Sequence, residues 1–363
     1  MDFTHTETRR MLADTIERYL RDKYPLAPRV EAGNTAPGFQ QSHYDEMAEL
    51  GVIAALFGED QGGFGGDGFD IAVVFEEIGK RLVNEPFLDN ALVPGAILAA
   101  AGRTDAVDDI IAGGARYALA AEEPQALYDL GEVETTASQK QNAWRLSGTK
   151  SVVKYASGCV GYIVSARAEA GISLFLVAPD AVEIHTYTTV DGGQASEITL
   201  DGAVGDLLIE DGAAALSDAS GRAILALSAE ALGIMATIRE MTIDYLRTRK
   251  QFGVPIGKFQ ALQHRMADML LEIEQARSAV INAAAALEKP PAERDRVLAA
   301  TKYTIGRIGR LVAEDSIQMH GGIGMTWEYD LGHYAKRLIL IDHEWGDQDF
   351  HLARFIALGQ AAA

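Results

Sequence analysis

The length of its helical periods constrains this chain more than any other feature. Beyond about Gly212, apolar residues recur at helical spacing through three segments, Ala219 to Lys250, Gln260 to Lys289 and Pro291 to His320, and a fourth begins near Leu331. Leu262, Met266, Met269, Leu270 and Ile273 mark the stripe in the second segment. Pro290-Pro291 divides the second from the third, since an interior proline lacks a donor and clashes with the preceding turn. Long amphipathic helices must bury their stripes against one another, so the segments predict a four-helix bundle with the stripes as core. Asp218 to Arg222 reads as the capped start of the first helix, with Asp218 holding the free backbone donors.

The rest of the chain has two other textures. Roughly the first 115 residues alternate helical patterns with glycine-rich loops. Met11, Ile16, Tyr19 and Leu20 share one helix face, and Ile71 to Leu82 resumes the same period. Gly58 to Gly68 lies between them, but it follows no clear strand and lacks the Gly-Lys-Ser/Thr ending of a phosphate loop. It reads as a permissive connector packed near the neighbouring domain.

From Tyr117 short apolar runs appear: Val160 to Ala166, Ile172 to Ala178, Val182 to Thr188, Ile198 to Leu200 and Leu207 to Ile209. Turn signals at Ser147-Gly148, Pro179-Asp180, Asp191-Gly192 and Asp201-Gly202 predict a compact antiparallel sheet or barrel. No GxGxxG fingerprint supports a Rossmann fold. The expectation is an α+β chain, mostly α, with a helical domain over 1–115, a β domain over 116–212 and a helical bundle over 213–363.

Composition excludes several functions. With 32 basic against 52 acidic residues, the net charge of −20 repels polyanions, so a nucleic-acid partner is not expected. Cys159 is the only cysteine, which removes a disulfide framework and fits a reducing compartment. Met1 to Arg10 is polar rather than signal-like, and Ala223 to Met235 is short and interrupted by Ser228 and Glu230. A cytoplasmic protein without a membrane span is expected. The eight histidines form no HxxxH or HExxH pattern, so no metal site is expected either.

Several motifs together are more specific than any of these features. Arg247 to Met269 reads RTRKQFGVPIGKFQALQHRMADM, Asp315 to Gly324 reads DSIQMHGGIG, and Leu146 to Lys150 precedes a strand ending Val164-Ser165-Ala166-Arg167. With Asp2 to Leu20 and Leu50 to Gly79, they resemble the acyl-CoA dehydrogenase family over almost the whole chain. The resemblance implies a flavin adenine dinucleotide (FAD) cofactor, an acyl-CoA substrate, electron-transfer flavoprotein as electron acceptor, and a role in fatty acid degradation. It also implies that Arg249 binds the pyrophosphate, a task suited to a planar guanidinium. Gln260 and Gln318 offer donors and acceptors to the polar edges of the cofactor, and Gly321 and Gly322 allow backbone approach to its adenosine half. A helix C-cap is the other reading of the two glycines. Phe252 either flanks the cofactor or is core.

The resemblance breaks at the chemistry. The position of the family's usual catalytic glutamate holds Trp345, and the alternative base position, just before Arg222, holds Gly221. Glu344 and Asp342 are the nearest carboxylates, and Arg222 is a candidate for the acyl-CoA pocket. Where the family reads Thr-Glu-Pro, this chain reads Glu122-Glu123-Pro124, and its Trp-x-Thr becomes Val152-Val153-Lys154. Glu122 and Glu123 otherwise read as solvated carboxylates, and His343 and His351 as exposed or packing residues.

This pattern resembles the small, degenerate subunits of heteromeric acyl-CoA dehydrogenases, such as the pimeloyl-CoA dehydrogenase small subunit. It implies a heterotetramer in which a homologous chain holds the flavin ring and supplies the base. A homo-oligomer using Glu344 or Asp342 as base, and a helical scaffold without cofactor, remain alternatives.

Overall fold

The computed structural model describes residues 5–169 and 171–361. Its contacts divide the chain into two compact units, one of residues 1–26, 67–83 and 224–363, the other of residues 27–66 and 84–223.

The first unit is helical. It contains α1 (Glu7–Lys23), α4 (Gly68–Lys80), most of α7 (Ala213–Thr248), α8 (Gln260–Ala286), α9 (Pro291–His320), α10 (Leu331–Asp342) and α11 (Gln348–Ala361). A short hairpin, β8 (Lys250–Gln251) with β9 (Val254–Pro255), joins α7 to α8. Helix α4 starts at Asp67, whose carboxylate accepts the amides of Phe69 and Asp70 at 2.8 and 3.1 Å, and Arg9 of α1 pairs with both Asp67 and Asp70. Helices α4 and α7 approach through a glycine notch. A Cβ on Gly79 would lie 2.0 Å from the Glu230 carbonyl oxygen, and one on Gly233 would lie 2.0 Å from that of Glu76. No larger residue fits at either position without separating the helices.

Two expectations about this bundle need correction. Helix α7 starts at Ala213, where the Asp211 side chain accepts the Ala213 amide at 3.4 Å. Asp218 is therefore interior, and it pairs with Arg222 one turn later at 2.9 Å. The expected fourth helix is two helices, because Trp345 and Gly346 take left-handed φ values of 58° and 102° that no helix continues through. Asp347 then caps α11, accepting the Phe350 amide at 2.8 Å. Helix α7 has the length and hydropathy of a membrane span, but 83% of its most apolar window is buried as core.

The second unit holds α2 (Leu26–Gly33, from Ala27 on), α3 (Gln41–Glu49), α5 (Val93–Ala100), α6 (Thr104–Ile111) and a seven-stranded sheet. The strands are β1 (Tyr117–Ala120), β2 (Thr136–Lys140), β3 (Ala143–Lys154), β4 (Gly161–Ala168), β5 (Gly171–Val177), β6 (Glu183–Thr188) and β7 (Gln194–Ile209). Pairing runs β4-β2-β3-β7-β5 and returns to β4, so these five strands close into a barrel. Leu146, Val164, Phe175, Val177, Ile198 and Leu200 fill it.

The sheet departs from the expected one in three ways. β1 pairs with β4 in parallel, as the long crossover from residue 121 to 160 allows, and β2 meets β4 in parallel at one position. Ser147-Gly148 lies inside β3 and is not a turn between strands. Asp201-Gly202 likewise lies within β7, where Gly202, with φ of 64°, is an extra residue between the partners of Leu146 and Ser147. A turn signal and a β-bulge require the same left-handed glycine, so the sequence does not distinguish them.

Candidate functional site

The residues assigned to the cofactor's tail all reach the surface of the helical unit. Arg249 follows α7, donating its amide to the Tyr245 carbonyl and accepting from the Ile256 amide, both at 2.8 Å. Its side chain is exposed. These bonds hold the β8–β9 hairpin, whose tip carries Phe252, 92% exposed and edge-on to Phe259 at 6.2 Å. Phe252 is therefore not a core residue. Gln260 opens α8 and Gln318 lies in the last turn of α9, both exposed. Gly321 ends α9 with φ of 68° and its amide on the Ile317 carbonyl. A Cβ added at Gly321 or Gly322 would meet no atom within 4 Å. Gly321 thus caps the helix and leaves the backbone open to a ligand, so the two readings of the glycines are compatible.

Charge supports this half of the site. Residues 247–258 carry Arg247, Arg249, Lys250 and Lys258 with no acidic residue among them, in a chain of net charge −20. A cationic hairpin, two exposed amide side chains and open backbone fit an anionic pyrophosphate.

The turn between α10 and α11 is fastened from beneath. Lys302 of α9, fully buried, donates to the carbonyls of Ile341, Asp342 and Gly346 at 2.8, 3.0 and 2.7 Å. Burial pulls its pKa down to about 8. The buried His351 ring bonds the Trp345 carbonyl through Nε2 at 2.8 Å, so it is a packing residue, while His343 is exposed.

The two nearby carboxylates differ in their surroundings: Glu344 is ion-paired, while Asp342 is buried with no hydrogen-bond partner at Oδ1. Glu344 is held by Arg337 at 2.9 Å. Asp342 is buried, with Oδ1 only 1.9 Å from where a Cβ on Gly306 would lie, and burial raises its pKa. Arg222 bonds Asp218 and, at 3.2 Å, the Gly66 carbonyl, which ties it to the glycine-rich loop. In that loop the amides of Gly62, Gly63, Phe64, Gly65 and Gly66 all donate to carbonyls between Ala54 and Glu59. They are spent on local structure, which agrees with the connector reading.

The β unit presents a different chemistry where the resemblance places the flavin ring. Glu123 is 3% exposed and forms a 2.6 Å ion pair with the fully buried Lys150. It also accepts from the amides of Glu134 and Thr135 and from the Gln125 side chain. The solvated reading of Glu123 is wrong, because a buried lysine needs this partner. Burial would raise the Glu123 pKa, but the donors outweigh it and hold the group at about 2. Glu122 is half-buried.

Val152 is a bulge in β3 with φ of 52°, and the Glu197 carboxylate accepts its amide at 3.5 Å and the Tyr187 hydroxyl at 3.0 Å. Burial and Glu197 push the Tyr187 pKa up to about 12, and Glu122 adds to the shift. Two carboxylates beside a strained valine do not fit a ring that gains negative charge on reduction. Among the described residues, no group of three or more His, Cys, Asp or Glu could hold a metal.

Sequence reasoning missed Lys302 and Arg337. Lys302 stands on the apolar stripe of α9 between Leu298 and Ile305, and a charge on a buried face was the signal available.

A helical unit and a closed β barrel define the architecture of a flavin-linked acyl-CoA oxidoreductase. Residues 6–104, 118–203 and 211–351 match the N-terminal, middle and C-terminal domains of acyl-CoA dehydrogenase, so the chain belongs to the acyl-CoA dehydrogenase family. It is 30% identical over 341 residues to the acyl-CoA dehydrogenase IpdE2 of Mycobacterium tuberculosis, covering 92% of each chain. The Tcur3481-Tcur3483 steroid ACAD (G363A variant) superposes with a TM-score of 0.90 at 28% identity, over 98% of this chain and 99% of that one. The ChsE4-ChsE5 complex of Mycobacterium tuberculosis shares the fold at a TM-score of 0.90 and 24% identity, covering 100% of both chains.

Proposed function

We propose that this chain takes part in FAD-dependent α,β-dehydrogenation of an acyl-CoA thioester as the subunit that lacks the base, within a heterotetramer with a homologous chain. One observation supports the reading: Arg249, Gln318, Gly321 and Gly322 are all exposed on the helical unit, while position 345 is a tryptophan on a fastened turn. The carboxylates around Val152 oppose a flavin ring in this chain's own barrel, which supports placing the ring on the partner. Relatives named as two-component assemblies agree with a mixed complex. Bound there, a flavin would supply the acceptor for the β-hydride. This chain's part is to hold the pyrophosphate with Arg249, present Gln260 and Gln318 to the polar edges, and let the Gly321-Gly322 backbone approach the adenosine. Electron-transfer flavoprotein as acceptor and a cytoplasmic site of action belong to the same reading.

The homomeric alternative needs Glu344 or Asp342 as base, and Glu344 is ion-paired with Arg337 while Asp342 is buried. Co-purification with a homologous chain that carries the catalytic glutamate tests the proposal. Turnover of acyl-CoA is expected only from the mixed assembly, and turnover by this chain alone contradicts it.

A further inference from the structure

The Arg249 hairpin and the Gln318 to Gly322 segment lie on different elements, and a three-ring cluster joins them. His320, the last residue of α9, is 4% exposed and immediately precedes Gly321. Its ring stacks on Tyr245 of α7 at 4.4 Å and 25°, and meets Tyr329, in the turn before α10, at a tilt of 50° and 5.3 Å. Tyr245 meets Tyr329 edge-on at 6.5 Å. The Tyr245 carbonyl accepts the Arg249 amide, so the residue under the His320 ring also anchors the arginine.

We propose that His320 is a positioning residue: its ring, packed on Tyr245 and Tyr329, fixes the Arg249 turn relative to the Gln318 to Gly322 segment, so that both meet one ligand. Nδ1 lies 2.8 Å from the Ser316 carbonyl, and the ring also interacts with the Met241 backbone of α7. The ring gives both tyrosines a flat packing surface. Burial lowers its pKa and so disfavours the charged ring. Asp244 and Asp330 flank the tyrosines and act on Tyr329, but neither is among the groups that shift His320.

The inference rests on the proposed cofactor role, so its test has two separate arms. The first is amide hydrogen exchange in this chain alone, at the amides of Arg249 and Ile256 on one element and Gly321 on the other. His320→Ala is expected to speed all three together by about tenfold, and His320→Phe, which keeps a ring, to restore them to within about twofold. Tyr245→Leu, made on α7, should loosen Gly321 as well, which covers the case in which His320→Ala does not fold. Loosening confined to one element, or no rescue by phenylalanine, overturns the proposal.

The second arm is FAD retention by the complex with a homologous partner, where His320→Ala should weaken binding about tenfold and His320→Phe less than about threefold. Equal retention by His320→Ala and wild type also overturns it. A wild-type complex without flavin would sink the cofactor reading, and the exchange arm would still decide the positioning role.

Discussion

Arg337 donates to Glu344 at 2.9 Å while it grips Glu230 with two further bonds, at 2.6 and 2.9 Å. One guanidinium therefore neutralises two carboxylates, all three largely buried. If Glu344 is a structural partner, Glu344→Gln should leave turnover of the mixed complex within about twofold and cost on the order of 1 kcal/mol in stability. Arg337→Met removes this cation from both carboxylates and should cost about 3 kcal/mol. Denaturant unfolding and steady-state kinetics on the same preparations check both, and a loss of turnover of about 10³-fold in Glu344→Gln would identify it as the base.

The Glu123–Lys150 pair is a second buried dependency. Lys150→Met leaves a buried carboxylate without its cation and should cost about 3–5 kcal/mol, whereas Glu123→Gln with Lys150→Met should cost clearly less than the sum of the single changes. The pH sign follows from Glu123: its folded pKa of about 2 lies below the ordinary 4.5, so its contribution is present above pH 4.5 and lost as pH falls through about 2. A urea series at fixed pH values reads this directly. Additive single-site costs would show that the pair is not coupled.

His351 makes the chain sensitive to mild acid. Burial lowers its pKa from 6.5 to about 4, so between those values the unfolded chain binds the proton that the folded chain refuses. Stability is full above pH 6.5, falls by up to about 3 kcal/mol on the way to pH 4, and is flat in this group below that. His351→Gln removes the titration and should lose less stability over that range than wild type, as followed by urea midpoints. Parallel pH profiles for the two proteins would show that His351 titrates normally.

Val152 has a left-handed backbone that a β-branched residue adopts at a cost of about 1–3 kcal/mol. Val152→Gly relieves that cost and gives up only a partly exposed side chain, so it should stabilise the chain by about 1 kcal/mol. Thermal unfolding beside Val152→Ala, which keeps a Cβ, is the control. A lower midpoint for Val152→Gly would mean that the bulge carries no strain.

Much of this architecture is legible in the sequence because its periods are long. The stripe from Leu262 to Ile273 needs no tertiary knowledge to be read as a buried helix face. The errors fall where one residue type serves two local geometries. Gly202 is a bulge inside β7, and Asp218 pairs with Arg222 inside α7 where a cap was expected. The break at Trp345 depends on Lys302, more than forty residues away, which takes the carbonyls that the interrupted helix releases. No local pattern contains that contact. The candidate tail-binding residues are legible as motifs, but the ring cluster that positions them is not, because Tyr245, His320 and Tyr329 meet only in the folded chain.

The central claim is that this chain contributes half of a flavin site. The most direct measurement is the number of FAD molecules per polypeptide in the purified complex with its homologous partner, from flavin absorbance against quantified chains. One FAD for each pair of unlike chains, with none retained by this chain alone, is the predicted result. One FAD on every chain, or a flavin-loaded assembly of this chain only, would contradict the account.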